Sequence, residues 1–347
     1  MTLHGNEQDN CGNQVVKSRK PRLAALIGPT AVGKTAYSLE IAKRWNAEII
    51  SGDSMQVYKG MDVGTAKLPL EEREGIPHHL IDICEPEHPF SAAEFQERCR
   101  ELIAEITARG RLPFIVGGTG LYVESVCYEY EFAETGSDEA FRAEQQRFAE
   151  THGGEALHAR LKLVDPASAE RLHPNDLRRV IRALEIAHLT GVTMSEQLAG
   201  QTKTSPYDLC LVGLTMDRQK LYDRVDRRVD LMLEEGLADE VRRLLERGVP
   251  ENAVSMRGLG YKEIVPYIRG ERTLEEAVRL LKRDTRHFAK RQLSWFRHMR
   301  GITWVDVTDE RNFSGNVQAI HDILAGKFEN QLEYICNQSF FDGGNGQ

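Results

Sequence analysis

The sequence feature that most constrains the fold is a glycine-rich loop between a predicted buried strand and a predicted helix. The loop follows the pattern G-x-x-x-x-G-K-[ST] and consists of Gly28, Pro29, Thr30, Ala31, Val32, Gly33, Lys34 and Thr35. An apolar run at 22–27 precedes it, and apolar residues at three-residue steps follow it from Tyr37 to Trp45. This context of strand, loop and helix is typical of a loop that binds polyphosphate.

The residue types in the loop explain how it can bind phosphate. Glycines let backbone N–H groups approach phosphate oxygens, and the start of the following helix adds a partial positive charge. Lys34 supplies a full positive charge, and the hydroxyl of Thr35 is the usual ligand for a Mg²⁺ ion. The loop therefore predicts a polyphosphate ligand with Mg²⁺, but it does not decide which polyphosphate or which reaction.

Further strand patterns predict an α/β fold, a P-loop NTPase-like parallel sheet flanked by helices. Ligands bind outside the carboxyl ends of the strands in such sheets. Asp53 follows a predicted strand at 48–51, and Thr119 follows another at 111–116, so both are expected near the loop. Asp53 can act as a general base or an indirect metal ligand, or it can cap a turn.

The sequence gives little indication of a zinc site, of disulfide bonds or of a membrane span. His78 and His79 lie in a strand predicted at 77–83, where adjacent side chains point to opposite faces, so a zinc site is not expected. The six cysteines are scattered without C-x-x-C spacing, which favours a cytoplasmic protein with reduced thiols. No apolar run reaches about eighteen residues, so no membrane span is expected.

Charge is distributed unevenly along the chain. The net charge of −8 argues against a bulk nucleic-acid coat protein. The segment 256–300 nevertheless contains twelve Lys or Arg against five Asp or Glu. This segment can face a phosphate backbone or can be a solvated helix face, and composition favours neither.

Two helical regions carry clustered arginines. In a predicted helix at 176–189, Arg178 and Arg182 lie one turn apart with Arg179 alongside, and they can pair with Glu185 or contact backbone phosphates. A second helix, predicted as one long element at 218–247, carries two arginines four residues apart. Arg224 and Arg228 can reach a diphosphate, or they can pair with aspartates of their own helix, Asp223, Asp226 and Asp230.

These patterns predict four parts of the chain. A flexible N-terminus (1–20) precedes an α/β core formed by two segments (21–130 and 201–310). The core is interrupted by an all-helical insertion (131–200), and a C-terminal helix with a flexible tail follows (311–347). The residues alone leave three classes of function open: a small-molecule kinase, a nucleotide-gated switch, or another transferase that uses a diphosphate. A GTPase is disfavoured because no N-K-x-D motif is present.

Several segments together resemble one family, the tRNA dimethylallyltransferases (tRNA isopentenyltransferases) of the bacterial type. The resemblance covers roughly 22 to 305, and Cys336, a lone cysteine, does not suggest the C-terminal zinc finger of eukaryotic relatives. The matching segments, in the order of the family, are GPTAVGKT (28–35), DSMQVY (53–58), MDVGTAK (61–67), HHLID (78–82), VGGTGLY (116–122), PND (174–176), RALE (182–185), GYKE (260–263) and AKRQ (289–292).

The resemblance implies transfer of a dimethylallyl group from dimethylallyl diphosphate to N6 of the adenosine immediately 3′ of the anticodon. The acceptors are tRNAs that read codons beginning with U. The loop then holds the diphosphate of the prenyl donor rather than ATP, and the insertion holds the anticodon stem-loop. A monomer is the oligomeric state that the resemblance implies.

The resemblance also implies roles for individual residues. Lys34 and Arg228 stabilise the leaving diphosphate, with Arg224 as a second cation and Mg²⁺ held through Thr35. Asp53 is the general base, and Thr119 positions the adenine or its phosphate. The tRNA contacts that the resemblance implies are Asp53, Ser54, Met55, Gln56, Thr119, Arg142, Arg178, Arg179 and Arg182.

Overall fold

The structure is a computed structural model that describes residues 20–132, 136–201 and 204–329. Most of the predicted flexible N-terminus and the tail from 330 onwards, including Cys336, lie outside the described residues. Six parallel strands form one sheet in the order β3-β2-β4-β1-β5-β6, which confirms the predicted fold class. The strands are β1 (Arg22–Ile27), β2 (Ala47–Gly52), β3 (His78–His79), β4 (Leu112–Gly117), β5 (Asp208–Thr215) and β6 (Ile302–Asp306).

Helices cover both faces of the sheet and make up the region between β4 and β5. They are α1 (Lys34–Trp45), α2 (Ala92–Ala108), α3 (Gly120–Cys127), α4 (Glu139–His152), α5 (Gly154–Val164), α6 (Pro166–Arg171), α7 (Leu177–Thr190), α8 (Met194–Ala199), α9 (Arg218–Glu234), α10 (Leu237–Glu246), α11 (Tyr261–Ile268), α12 (Leu274–His298) and α13 (Phe313–Phe328). The described residues between 131 and 201 contain α4 to α8 and no strand.

Apolar burial divides into three clusters. One cluster lies on each face of the sheet, because the strand side chains of β1, β4 and β5 alternate between the two faces. A third, smaller cluster has its buried residues in α4 to α7, among them Leu157, Leu161 and Val180, and Met194 of α8 packs against it. Helices α4 to α8, called the helical region below, thus have a core of their own, while the exact boundaries of this region stay a prediction.

Three predicted elements differ in extent. The strand predicted at 77–83 has only two residues, because Leu80 and Asp82 adopt positive φ angles of 61° and 55° that turn the chain away from the sheet. The long helix predicted at 218–247 is wrong as one element, since Gly236 with φ 93° separates α9 from α10. Helix α1 begins at Lys34, so Lys34 and Thr35 belong to its first turn.

Candidate active site

The loops that follow β1, β2 and β4 meet at one edge of the sheet. Gly117 is in register with both Ile27 and Gly52, so these three strands end at the same level. A cavity of about 450 Å³ lies at this edge. The predicted site residues in its wall are Thr30, Ala31, Gly33, Lys34, Thr35, Asp53, Gln56, Arg224 and Arg228. Gly28, Pro29 and Val32, which are also predicted site residues, do not line this cavity, and the side chain of Val32 is buried in the core.

Backbone oxygens hold the lysine of the loop. Lys34 Nζ donates hydrogen bonds to the carbonyl oxygens of Gly28 at 2.9 Å and Pro29 at 2.7 Å. Burial, followed by the charge of Arg228, lowers the pKa of Lys34 to about 7, although Asp53 acts in the opposite direction. Burial and a neighbouring cation both disfavour the charged form of Lys34, and an anion bound in the cavity would favour it.

Two arginines of α9 reach the loop. Arg228 Nη1 donates to Thr30 Oγ1 at 3.3 Å, and burial lowers the pKa of Arg228. Arg224 Nη1 donates to the Val32 carbonyl at 3.3 Å, and its Nη2 lies 2.9 Å from Glu310.

The alternative in which these arginines pair within α9 is wrong. Asp226 accepts from Arg286 and Asp230 from Lys282, both of which belong to α12, and Asp223 accepts from Gln219. Two of the aspartates therefore join α9 to α12 and the third bonds within α9, while Arg224 and Arg228 are directed at the loop.

The turn after β2 fixes one oxygen of Asp53. Asp53 Oδ1 accepts from the backbone N–H of Met55 at 2.8 Å, so this carboxylate does cap a turn. Its other oxygen, Oδ2, has no hydrogen-bond partner among the described residues, while Asp53 lines the cavity that also contains Lys34. Asp53 can therefore cap the turn with Oδ1 and still use Oδ2 in a reaction in the cavity.

Thr119 lies beside this turn. Its Oγ1 accepts from the backbone N–H of Ser54 at 3.1 Å and donates to Ser54 Oγ at 3.4 Å. Gln56 braces the turn from the other side, since it accepts from Ser51 Oγ at 2.9 Å and donates to the Thr65 carbonyl at 3.3 Å. These bonds orient Asp53 before any ligand binds.

Gln292 of α12 is a site residue for which sequence reasoning found no role. It lines the cavity and is only 6% exposed, with hydrogen bonds to the loop after β1 and to the loop after β4. A signal was available: Gln292 is a large polar residue in the largely apolar buried stripe of α12, whose other members are Ala277, Leu281, Thr285, Ala289 and Phe296.

A second cavity, of about 860 Å³, adjoins the first. The two share Gly118, Phe288 and Gln292 in their walls. The second cavity lies between α3, α12 and the helical region, and it contains Ser54 and Thr119. Its other notable residues are three arginines and three aromatic residues, Arg171, Arg179, Arg291, Tyr128, Tyr130 and Trp295.

The arginines predicted to contact tRNA have different surroundings. Arg142 Nε and Arg182 Nη1 pair with the fully buried carboxylate of Glu185 at 2.8 and 2.6 Å. Arg179 has 67% of its side chain exposed, with Asp176 at 3.4 Å, and lines the second cavity. Arg178 is exposed.

Met55, also predicted to contact tRNA, packs beside the buried core. It lines neither cavity, unlike its neighbours Ser54 and Gln56.

The cavity also offers oxygen ligands suited to Mg²⁺. The hydroxyl of Thr35 and the carboxylate of Asp53 line the same wall, and Mg²⁺ is commonly held by one or two protein oxygens together with substrate phosphates. Within the described part of the chain, no cluster of three or more His, Cys, Asp or Glu side chains is arranged to hold a metal. The donors therefore fit an ion shared with a phosphate ligand.

Comparisons with known proteins agree with this geometry. The family described as IPP transferase matches residues 56–299. The tRNA dimethylallyltransferase of Halalkalibacterium halodurans is 52% identical over 311 residues, which are 89% of this chain and 98% of that protein. The enzyme of the same name from Bacillus licheniformis is 54% identical over 310 residues, with the same coverage of both chains.

Solved structures give the same result. The full-length tRNA isopentenylpyrophosphate transferase from Bacillus halodurans aligns with a TM-score of 0.69 and 51% identity, covering 91% of this chain and 100% of that one. A eukaryotic dimethylallyltransferase acting on tRNA aligns with a TM-score of 0.76 and 31% identity, covering 89% and 80%. Among the described residues, none of the helices has the length and apolar character needed to cross a membrane. The chain belongs to the tRNA dimethylallyltransferase family.

Proposed function

We propose that the chain transfers a dimethylallyl group from dimethylallyl diphosphate to N6 of the adenosine immediately 3′ of the anticodon in tRNAs that read codons beginning with U. The observation that carries this proposal is the pair of adjoining cavities. One contains the cationic loop, and the other contains arginines and aromatic residues, with Asp53 and Thr119 near the boundary. This arrangement supports a reaction between a diphosphate and a nucleobase.

On the donor side, charge accumulates on the diphosphate as its bond to carbon breaks. Lys34, Arg228 and the backbone N–H groups of the loop stabilise that charge, with Arg224 as a second cation. The hydroxyl of Thr35 would hold a Mg²⁺ ion, which would supply further charge neutralisation. Among the described residues no carboxylate forms an ion pair with Lys34 or Arg228, whereas Glu310 pairs with Arg224.

On the acceptor side, the exocyclic amine of adenine is a weak nucleophile. A carbon–nitrogen bond forms at N6 while the carbon–oxygen bond to diphosphate breaks, and the surplus N6 proton passes to Asp53. Thr119 holds the turn that carries Asp53 and lies where the adenine enters. The adenine must leave its stack to reach this point, as in other enzymes that act on a base.

The helical region is proposed to bind the anticodon stem-loop. Arg178 and Arg179 are exposed and can contact phosphates. Arg142 and Arg182 can do so while Glu185 orients them. A monomer that works in the cytoplasm is part of the same proposal.

The test is incubation of the protein with dimethylallyl diphosphate, Mg²⁺ and unmodified tRNA, followed by nucleoside analysis. The expected product is N6-dimethylallyladenosine with release of diphosphate. Asp53→Asn should lower turnover by about 10²- to 10⁴-fold while tRNA affinity is retained. A small-molecule kinase, the alternative use of the loop, would give no prenylated adenosine and would instead consume ATP.

A further inference from the structure

A single buried amide connects the two halves of the site. Gln292 Oε1 accepts from the backbone N–H of Thr30 at 2.8 Å, and Gln292 Nε2 donates to the carbonyl oxygen of Gly118 at 2.9 Å. The orientation of the amide is unambiguous, because the N–H of Thr30 can only donate and the carbonyl of Gly118 can only accept. Glutamine is suited to this position because it offers a donor and an acceptor at one side-chain end.

The two residues that Gln292 binds lie in the parts of the site proposed for different substrates. Thr30 is in the loop that faces the diphosphate, and its hydroxyl accepts from Arg228. Gly118 precedes Thr119, whose hydroxyl holds the turn that carries Asp53. The contact between Gln292 and Gly118 is close, since a Cβ added at Gly118 would lie 2.2 Å from Gln292 Nε2.

We propose that Gln292 is a positioning residue that sets the separation between the diphosphate site and the adenine site. This inference rests on the proposed prenyl transfer. In a displacement reaction the attacking nitrogen must lie in line with the breaking bond, and a misplacement of about 1 Å can lower the rate about 10²-fold. Each substrate uses contacts within its own half of the site, so loss of the connection slows the step that needs both substrates.

The variant Gln292→Met removes both hydrogen bonds while preserving side-chain length. The expected result is a fall in kcat of about 10²-fold, with KM for dimethylallyl diphosphate and Kd for tRNA within about threefold of the original protein. Gln318→Met is a matched control, because Gln318 is an exposed glutamine of α13 whose side chain donates to Asp322. The control should leave all three constants unchanged.

A second variant guards against misfolding. Gln292→Leu also removes both hydrogen bonds but has a different apolar shape, so an equal fall in kcat in the two variants, with KM and Kd retained, excludes misfolding of either variant as the cause. The inference is overturned if Gln292→Met has kcat within about threefold of the original protein, or if KM and Kd rise while kcat is unchanged. If the original protein itself forms no prenylated adenosine, the proposed function fails, which is a separate outcome.

Discussion

Cationic side chains have different partners in the proposed diphosphate cavity and in the helical region. In the cavity, Lys34 donates to carbonyl oxygens and Arg228 to a hydroxyl, and neither forms an ion pair among the described residues. In the helical region, Arg142 and Arg182 share one fully buried carboxylate, Glu185. A desolvated cation without an anionic partner costs free energy until a ligand neutralises it, whereas an ion pair offsets that cost, and removal of one partner exposes it. The comparison is what the proposed function requires, because the first set is available to a ligand and the second set already has a protein partner.

The largest expected effect comes from removing a cavity cation. Lys34→Met should lower kcat/KM for dimethylallyl diphosphate by about 10²- to 10³-fold, because an unneutralised charge is lost from the position where diphosphate develops charge. Steady-state kinetics with unmodified tRNA measures this loss. Lys43→Met is the control: Lys43 is an exposed lysine of the same helix, paired with Glu40 at 2.9 Å. An equal loss in both variants would contradict a specific role for Lys34.

Removing the shared carboxylate of the helical region should affect stability rather than chemistry. Glu185→Gln is expected to lower the free energy of unfolding by about 2 kcal/mol, because two arginines lose a buried acceptor. Urea denaturation measures the change. Glu139→Gln is the control, since Glu139 is 77% exposed and pairs with the same Arg142 at 3.0 Å. Its expected cost is below about 1 kcal/mol, and a similar cost for both variants would overturn the comparison.

The exposed arginines should contribute mainly to RNA affinity. Replacing Arg178 and Arg179 together by glutamine is expected to weaken tRNA binding and to flatten the plot of log affinity against log salt, by about one unit for each phosphate that the protein no longer neutralises. Arg22 and Arg44 provide a matched pair, because they lie at the opposite edge of the sheet, at the start of β1 and in the last turn of α1. If both double variants change the salt dependence equally, the effect is one of net charge alone.

The smallest effect is a pH dependence of stability. Burial raises the pKa of Glu185, but hydrogen bonds from Arg182 and Arg142 outweigh burial, so its pKa in the folded protein is lowered. A lowered carboxylate pKa adds stability above the unfolded-state pKa, and that stability is lost as pH falls through the folded-state pKa. The stability difference between the original protein and Glu185→Gln should therefore shrink as pH falls from 7 to below about 4. A difference that is constant with pH would contradict the ion pairing.

The parts of the site that sequence could predict are those encoded locally. The loop at 28–35 and the position of Asp53 follow from motif and strand pattern within a few residues, and the parallel sheet brings them together. The resemblance to a known family adds the role of Arg228. The fold class could be predicted for the same reason, because apolar runs and helical periodicity are properties of short windows.

Other features depend on distant parts of the chain. Gln292 lies 262 residues from Thr30, so no local pattern connects them. Asp226 and Asp230 of α9 pair with α12 rather than with arginines of their own helix, and only packing decides this. Gly236 is ambiguous in a helical pattern, because glycine is tolerated within a helix and is also favoured at its end. The left-handed conformation of Gly236 shows that one helix ends and the next begins at this glycine.

The most direct test of the central claim uses a short anticodon stem-loop RNA with an adenosine 3′ of the anticodon. The RNA is incubated with the protein, Mg²⁺ and dimethylallyl diphosphate, and mass spectrometry locates any modification. The account predicts the mass of one dimethylallyl group on that adenosine and none when guanosine replaces it. An unmodified RNA, or a modification that requires ATP in place of dimethylallyl diphosphate, would contradict the account.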